Sequence, residues 1–181
     1  MSHELQFNVA QLLKEATGGS RSYDINARIS DELDDDVTVV SPLVGHVRFL
    51  RTGQNILVTG SLQSTIRKIC GRCLTSFTTP ISIELEEEFY PVTNIVTGAA
   101  LAEPADADLA NRIDEQNILD LSEVIRQELV VANDGILYCR PECKGLCPRC
   151  GRDRNVDPCD CQNVQKDARW AGLLALQTED E

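Results

Sequence analysis

The amino-acid sequence predicts an α+β fold: an antiparallel β meander, open or barrel-like, packs with short helices and leads into a cysteine-rich zinc-knuckle arm at the C-terminus. Two observations predict it. Between residues 37 and 86, β-branched side chains are frequent and turn residues interrupt them at short intervals, which is typical of consecutive antiparallel strands. Six of the eight cysteines lie within residues 139–161, and such a cluster predicts a metal-binding segment.

A short amphipathic helix is expected at the start of the chain. Asn8 can cap it, and Val9, Leu12 and Leu13 share one of its faces. The glycine pair at 18–19 supplies a stop, because glycine readily adopts the backbone conformation that ends a helix. A small amphipathic helix is therefore expected to open the chain.

The strands of the meander come next. We expect them over residues 37–40, 44–50, 56–70 and 74–86, with bends at Pro42, Gly45 and Gly60 and reversals at 52–55 and 70–73. In the last strand, Ile81, Ile83 and Leu85 alternate with glutamates, so one face of the sheet is apolar and the other is charged. The sheet is therefore expected to pack on one side only.

The composition changes after the meander. From about residue 91 to 116 it shifts to Ala, Asp, Glu, Gly and Pro, and we interpret this stretch as an acidic linker. Asp120 and Glu123 then have the spacing of a capping box. The helix that they begin, which runs to about Ala132, carries an apolar stripe that is expected to cover the sheet.

A last helix is expected near the C-terminus, with four apolar side chains on one side: Trp170, Leu173, Leu174 and Leu176. The sequence thus divides into two parts. Residues 1–137 form an α+β domain that includes the acidic linker. Residues 138–181 form the cysteine-rich, zinc-binding arm with its terminal helix.

Composition and motifs argue against an enzyme. The chain has two histidines, so a histidine-dependent nucleophilic site would rest on His46 alone. No G-x-G-x-x-G, G-x-x-x-x-G-K-[ST] or H-E-x-x-H string occurs.

No apolar stretch reaches the roughly 20 residues that span a bilayer, and the start lacks the features of a leader. We therefore expect a non-enzymatic, soluble, cytoplasmic protein whose thiols are reduced.

The strongest metal signal lies in the arm. Cys147 and Cys150 are separated by two residues and followed by Gly151, the pattern of a zinc knuckle, in which both sulfurs reach one ion. Cys159 and Cys161 suit the second half of the site, because residues two apart in an extended segment point to the same side. Four thiolates leave no open position, so this zinc is expected to be structural.

The remaining cysteines predict a second structural zinc that joins the meander to the arm. Its ligands would be Cys70, Cys73, Cys139 and Cys143. The spacing of the last two is less regular, and Cys143 is close enough to Cys147 to exchange roles with it. Three alternatives compete with this site: buried reduced thiols, disulfides, and a redox-active Cys-x-x-Cys motif.

These motifs together resemble a bacterial family. Cys70-Gly71-Arg72-Cys73-Leu74, the string Cys143-Lys144-Gly145-Leu146-Cys147-Pro148-Arg149-Cys150-Gly151, Asn155, Cys159-Asp160-Cys161 and Asp167-Ala168-Arg169-Trp170 are similar to those of the YceD family. Its members are described as large ribosomal RNA subunit accumulation proteins. The resemblance implies a cytosolic, non-enzymatic factor for the synthesis, processing or stability of large-subunit ribosomal RNA. The alternative is a zinc- or redox-responsive regulatory or adaptor protein.

Charge distribution bears on the partner. The net charge is -12, with thirteen acidic and two basic residues between 84 and 137, whereas residues 37–83 hold five basic residues and no acidic one. An acidic surface favours a basic ribosomal protein as the large-subunit partner. The acid-free block is the alternative, since it could contact ribosomal RNA directly if its bases lie together. We expect neither a membrane nor a small-molecule substrate.

Overall fold

The computed structural model describes residues 3–29, 32–34, 37–102, 108–135 and 138–161. In chain order its strands are β1 (Gln6–Asn8), β2 (Ser20–Ala27), β3 (Glu32–Asp34), β4 (Val37–Val39), β5 (Leu43–Thr52), β6 (Asn55–Ile69), β7 (Ser76–Pro91), β8 (Arg112–Ile113) and β9 (Ile118–Asp120). The α-helices are α1 (Ala10–Lys14) and α2 (Ser122–Asp134), and 3-10 helices cover His3–Leu5 and Leu109–Asn111.

The predicted meander forms the body of the protein. Strands β5, β6 and β7 are consecutive antiparallel neighbours, and β2 pairs with the free side of β5. Beyond Gln63 the side of β6 that pairs with β5 pairs instead with β4, which in turn pairs with β3. The mostly antiparallel sheet therefore changes neighbours along one long strand and curls into a half-barrel.

Two glycines permit a close approach of the paired strands β5 and β6. A Cβ atom at Gly45 would collide with the carbonyl oxygen of Ser61, and one at Gly60 would collide with that of His46. The two backbones approach too closely for any side chain at these positions. Both glycines lie within the continuous pairing of the two strands, and the bends that the sequence predicts there stay a prediction.

The hydrophobic core lies on the inner face of the curled sheet. Ile81, Ile83 and Leu85 are buried there, while Glu84, Glu86 and Glu88 are exposed, which confirms the predicted alternation. Helix α2 covers this face with buried side chains that include Ile125 and Leu129. Truncating a fully buried leucine such as Leu129 to alanine typically costs about 2–5 kcal/mol.

Two of the three predicted helices fall within the described residues and form, but their caps differ from expectation. Helix α1 begins at Ala10, and the Asn8 side chain accepts a hydrogen bond from the Ala10 backbone N–H without acting as the N-cap. At α2, the Asp120 carboxylate accepts from the Ser122 backbone N–H, whereas Glu123 pairs with an arginine on the next turn. The reciprocal capping box is therefore not formed, because the ion pair takes the glutamate side chain.

The interpretation of residues 91–116 as a linker is wrong for the part that the structure describes. Val92 and Ile113 are buried, and the Val92 backbone N–H bonds to the carbonyl of Ile113. Residue Thr93 bridges to Ala100 around a tight turn, and the 3-10 helix and β8 occupy residues 109–113. A segment of polar composition can still be ordered at the edge of a sheet when a few of its apolar side chains are buried in the core. Residues 103–107 lie outside the described residues.

Two further expectations are not tested by the structure. The predicted terminal helix with Trp170 falls within residues 162–181, which lie outside the described residues. The division into a domain over 1–137 and an arm over 138–181 stays a prediction. Within the part of the chain that the structure describes, no helix combines the length and apolar character needed to cross a membrane.

Candidate metal centres

The turn between β6 and β7 carries the first pair of cysteines. The Cys70 backbone accepts from the N–H of Leu74 and donates to the carbonyl of Thr75, so the chain reverses within a few residues. Leu74 has φ 57°, a left-handed conformation that costs a residue with a side chain about 1–2 kcal/mol. This tight reversal holds the Cys70 and Cys73 side chains at the end of the hairpin.

The arm returns to this hairpin and brings the second pair. Cys139 and Cys143 come within reach of the turn, and all four sulfur atoms lie within 4.8 Å of one another. We call Cys70, Cys73, Cys139 and Cys143 the inner cluster. Three of its members are buried, and Cys139 is half-buried. The structure therefore brings together the four residues that the sequence predicts for the second site.

Sulfur distances in the inner cluster suit a metal ion and not a disulfide. The Cys70 and Cys143 sulfurs are 3.9 Å apart, and those of Cys73 and Cys139 are 3.8 Å apart. Four sulfurs placed tetrahedrally at about 2.3 Å from one zinc ion lie about 3.8 Å from each other. Sulfurs in a disulfide are separated by about 2.05 Å. None of the eight cysteines is disulfide-bonded.

Backbone donors favour a thiolate at Cys70. Burial raises the pKa of this thiol, but the backbone N–H groups of Cys73, Cys139 and Arg72 outweigh burial and lower the pKa to about 6. The Cys139 N–H lies 3.4 Å from the Cys70 sulfur. Burial and the neighbouring thiols raise the pKa of Cys139 to about 12. Without a cation, negative charge in the cluster is therefore favoured on the Cys70 sulfur and disfavoured on the Cys139 sulfur.

Arg72 contacts both the β6–β7 hairpin and the arm. It lies between the two cysteines of the turn, and its guanidinium sits 3.8 Å from the centroid of the Tyr138 ring. The same guanidinium donates to the carbonyl oxygens of Pro141 and Cys143, each at 3.2 Å, while the Arg72 carbonyl accepts from the Leu146 N–H at 3.0 Å. Sequence reasoning missed this role. The signal for it was a cation inside the Cys-x-x-Cys motif.

The second group of four cysteines sits further along the arm. Its sulfur atoms also lie within 4.8 Å of one another, and we call Cys147, Cys150, Cys159 and Cys161 the outer cluster. Cys147 is buried, Cys159 is half-buried, and Cys150 and Cys161 are exposed. These are the four residues that the sequence predicts for the C-terminal site.

The knuckle has the local geometry that its sequence predicts. The Gly151 N–H bonds to the Cys147 carbonyl at 2.9 Å, and the Cys147 N–H bonds to the Arg152 carbonyl at 2.8 Å. Gly151 has φ 73°, which favours glycine. Backbone N–H groups of Cys150 and Arg149 lower the pKa of Cys147 to about 6. A neighbouring thiol, Cys150, is the main cause that raises the pKa of Cys161 to about 12.

Asn155 connects the two clusters. Its side-chain oxygen accepts from the Lys144 N–H at 2.9 Å, and its amide nitrogen lies 3.5 Å from the Cys143 sulfur. The same amide nitrogen donates to Asp153, as does the Asn155 backbone N–H. One side chain from the outer loop therefore contacts a sulfur of the inner cluster.

The five bases of the acid-free block do not form one basic face. Arg48 and Arg67 are exposed on the outer face of the sheet, while Lys68 points to the opposite face and donates to Asn133 at the end of α2. Arg51 donates to a carbonyl in its own turn, and the remaining base, Arg72, lies at the inner cluster. The bases alternate between faces because they occupy positions of opposite parity in the strands.

Comparison with known proteins places the chain among bacterial relatives. Three curated proteins, one from Mycobacterium bovis and two from strains of Mycobacterium tuberculosis, are each 30% identical to it over 131 residues and are described as uncharacterized. The alignment covers 72% of this chain and 59% of each relative. No solved structure matches the chain.

A family model matches residues 58–177, which include both cysteine clusters, and it is described as "Large ribosomal RNA subunit accumulation protein YceD". This match spans well over half of the sequence, and it confirms the resemblance that the cysteine motifs indicate. The chain belongs to the YceD family.

Proposed function

We propose that this protein is a non-enzymatic, cytoplasmic factor for the synthesis, processing or stability of large-subunit ribosomal RNA, and that structural zinc stabilises it. The family match carries the first part of the proposal, because its description names accumulation of that RNA. The match extends from within β6 across β7, α2 and both clusters, so the proposal rests on more than a single motif.

The zinc part of the proposal rests on the donor sets. Each cluster offers four thiols and no other donor type, a composition that is typical of structural zinc sites. Bound zinc would stabilise the thiolates and hold distant segments together, and with four protein ligands it would have no position for a substrate. The inner ion would join the β6–β7 hairpin to the arm, and the outer ion would fold the knuckle.

The proposed partner is a basic ribosomal protein. Glu84, Glu86 and Glu88 are exposed along the outer face of β7, within the most acidic part of the chain. The dispersal of the bases of the acid-free block weakens the case for a continuous RNA-binding face, since affinity for RNA depends on several cations contacting neighbouring phosphates. Electrostatic attraction to a basic partner would weaken with salt.

A second candidate function is a zinc- or redox-responsive regulator. The observation that favours it is the exposure of Cys150 and Cys161 in the outer cluster, since accessible thiolates are the ones that exchange metal and react with oxidants. Metal affinity and thiol reactivity distinguish the two functions. A regulator would release the outer zinc in the range of cellular zinc buffering, whereas a structural site would keep it.

The decisive experiment depletes the protein in its host and measures the ratio of large- to small-subunit ribosomal RNA. We expect this ratio to fall, and to be restored by the wild-type gene but not by one in which Cys70 and Cys73 are serine. Affinity purification with and without ribonuclease then identifies the partner. Retention of a ribosomal protein after ribonuclease treatment supports a protein partner, and its complete loss supports RNA. An unchanged ratio after depletion would refute the proposed function.

A further inference from the structure

Among the described residues, one edge of β7 has no strand partner over most of its length. The strand pairs with β6 from Ser76 to Phe89 on one side, but on the other side its pairing with β8 begins only at Tyr90. Asn111 covers the next part of this side, because its amide donates to the Glu88 carbonyl and the Glu87 carboxylate. Apart from the Thr79 hydroxyl, which donates to the Pro80 carbonyl at 3.4 Å, no other described residue hydrogen-bonds to the backbone of this edge from Ser76 to Glu86.

Backbone parity identifies which residues point to the open edge. The Glu88 carbonyl faces away from β6, toward Asn111, and the N–H and C=O of one residue point to the same side of a strand. Residues two, four and six positions earlier therefore also face away from β6. They include Ser82, Glu84 and Glu86, whose N–H and C=O groups are available to an added strand.

Proline at position 80 agrees with this parity. Pro80 pairs opposite Thr65 in the middle of β7, and it belongs to the same set of outward-facing positions. A proline in a strand is tolerated where its missing N–H would point away from the ladder. Pro80 therefore lacks an outward N–H group but does not disturb the pairing with β6. The outward N–H groups that could bind an added strand begin after it, at Ser82.

The side chains on this stretch are acidic and lack basic partners. Glu84 and Glu86 are exposed, and neither forms an ion pair or a side-chain hydrogen bond with any described residue. They stand two residues apart on the outer face, so each would lie directly opposite one side chain of an added strand. Helix α2 packs under the inner face of β7 and leaves the outer face open.

We propose that the edge of β7 from Ser82 to Glu86 binds an extended, basic segment of a partner protein as an additional strand. Main-chain hydrogen bonds would provide affinity, and alternate Lys or Arg side chains opposite Glu84 and Glu86 would provide specificity. This inference deepens the proposed function, on which it depends for a basic ribosomal protein as partner. It adds the recognition mode and the surface.

The test uses the full-length, zinc-replete protein and a synthetic peptide of about nine residues that alternates lysine with threonine. A second peptide of the same sequence carries backbone N-methyl groups at the alternate positions that would pair with β7. Both have the same charge. We expect fluorescence anisotropy to show binding of the first peptide only. Equal binding of both peptides, or of neither, would overturn strand addition.

Charge reversal tests the acidic side chains. Glu84→Lys/Glu86→Lys should weaken peptide binding by about tenfold or more, because two favourable cross-strand pairs become repulsive. The matched control is Glu115→Lys/Asp134→Lys, which changes net charge equally at exposed positions elsewhere and should have a much smaller effect. Equal losses in the two variants would mean that net charge alone attracts the peptide, and would overturn the proposal.

A charge-neutral variant separates the edge from its side chains. Ser82→Pro removes one outward N–H, as Pro80 already does, and should weaken binding about fivefold. Thr78→Pro removes an outward N–H outside the acidic stretch and should leave binding unchanged. Circular dichroism and zinc content establish that both variants are folded. Direct binding of large-subunit ribosomal RNA to the protein that Ser82→Pro weakens and Thr78→Pro does not would assign the edge to RNA and overturn the proposal.

Failure of the peptide tests does not refute the proposed function. Ribosomal RNA accumulation is measured by depletion and complementation, and it is independent of peptide binding. A protein that restores accumulation and yet shows no dependence on the β7 edge would refute the strand-addition proposal alone.

Discussion

The inner and outer cysteine clusters have the same composition but different positions in the fold. In the inner cluster three of four cysteines are buried, and the ligands come from the β6–β7 turn and from the arm. In the outer cluster one cysteine is buried, and all four lie within residues 147–161. The two clusters therefore differ in the sequence separation of their cysteines. The outer cluster holds a local loop together, and the inner cluster joins segments that are distant in sequence.

This difference predicts unequal energetic roles. A cross-link between residues 70 and 143 closes a chain segment of 73 residues, and the entropy lost by the unfolded chain rises with the length of the closed segment. The outer cluster closes much shorter segments. Burial adds to the contrast, since a buried thiol without its metal leaves an unfilled polar site in the interior. We therefore expect the inner cluster to contribute more to stability.

The largest effect is expected from breaking the inner cluster. Cys70→Ser/Cys73→Ser should remove one of two zinc ions per chain and destabilise the protein by about 3 kcal/mol or more, comparable with removing a native disulfide. The arm should also become sensitive to limited proteolysis while the sheet stays folded. Elemental analysis and thermal unfolding measure these changes. Two zinc ions in the purified variant would show that the inner cluster is not the second site.

Breaking the outer cluster should have a smaller effect. Cys150→Ser/Cys161→Ser alters two exposed side chains, so the loss of zinc is not confounded by core packing. We expect one zinc ion fewer and a destabilisation of about 1–2 kcal/mol, with the knuckle region alone losing protection from hydrogen exchange. A destabilisation equal to that of the inner variant would show that the sequence separation of the cysteines does not decide their contribution to stability.

Arg72 tests the contact between hairpin and arm without removing a ligand. Arg72→Ala should cost about 1–2 kcal/mol, because it removes the stacking on Tyr138 and two charged hydrogen bonds at an exposed site. Zinc content should stay unchanged, but the inner ion should leave faster to a chelator. The control, Arg67→Ala, truncates an exposed arginine whose side chain forms no ion pair or hydrogen bond with the described residues, and it should change stability by less than about 0.5 kcal/mol. Equal effects would remove the special role of Arg72.

The smallest difference between the clusters is expected on acidification. Each has one thiol, Cys70 or Cys147, whose pKa is lowered from 9.0 to about 6. A lowered pKa means that the thiolate contributes stability that is fully present above pH 9.0 and is lost as pH falls through about 6.

Zinc release should therefore begin at nearly the same pH in both clusters, because protons compete with the metal for each thiolate. A chromogenic zinc indicator can follow the release in the two single-cluster variants. Midpoints that differ by more than about one pH unit would show that burial, and not the shared backbone donors, sets the acid sensitivity.

The sequence predicted the clusters better than it predicted their surroundings. Spacing predicts the outer group of four cysteines, the inner group follows as the four cysteines that remain, and the faces predicted for the alternating strand at 81–85 are confirmed. The stretch at 91–116 was misread as a linker, because composition does not show that Val92 and Ile113 reach the core. The capping box was also wrong, since the competing ion pair at Glu123 depends on side-chain geometry. Metal binding itself stays a prediction.

What the sequence determined by itself is short-range. Two such features follow from bond lengths and backbone angles that are nearly the same in every protein. The sulfurs of Cys147 and Cys150 can approach one metal ion, and the side chains of Ile83 and Glu84 point to opposite faces of the strand. A reader of the sequence can therefore derive them without knowing the path of the chain.

Only the tertiary structure decided the long-range features. The stacking of Tyr138 on Arg72, the contact of Asn155 with the inner cluster and the open edge of β7 all depend on which strands become neighbours. That choice is made by the summed packing of the core and the curl of the sheet, to which many residues each contribute a little. No local pattern determines it, because residues such as Arg72 and Tyr138, which are 66 positions apart in sequence, meet only in the folded chain.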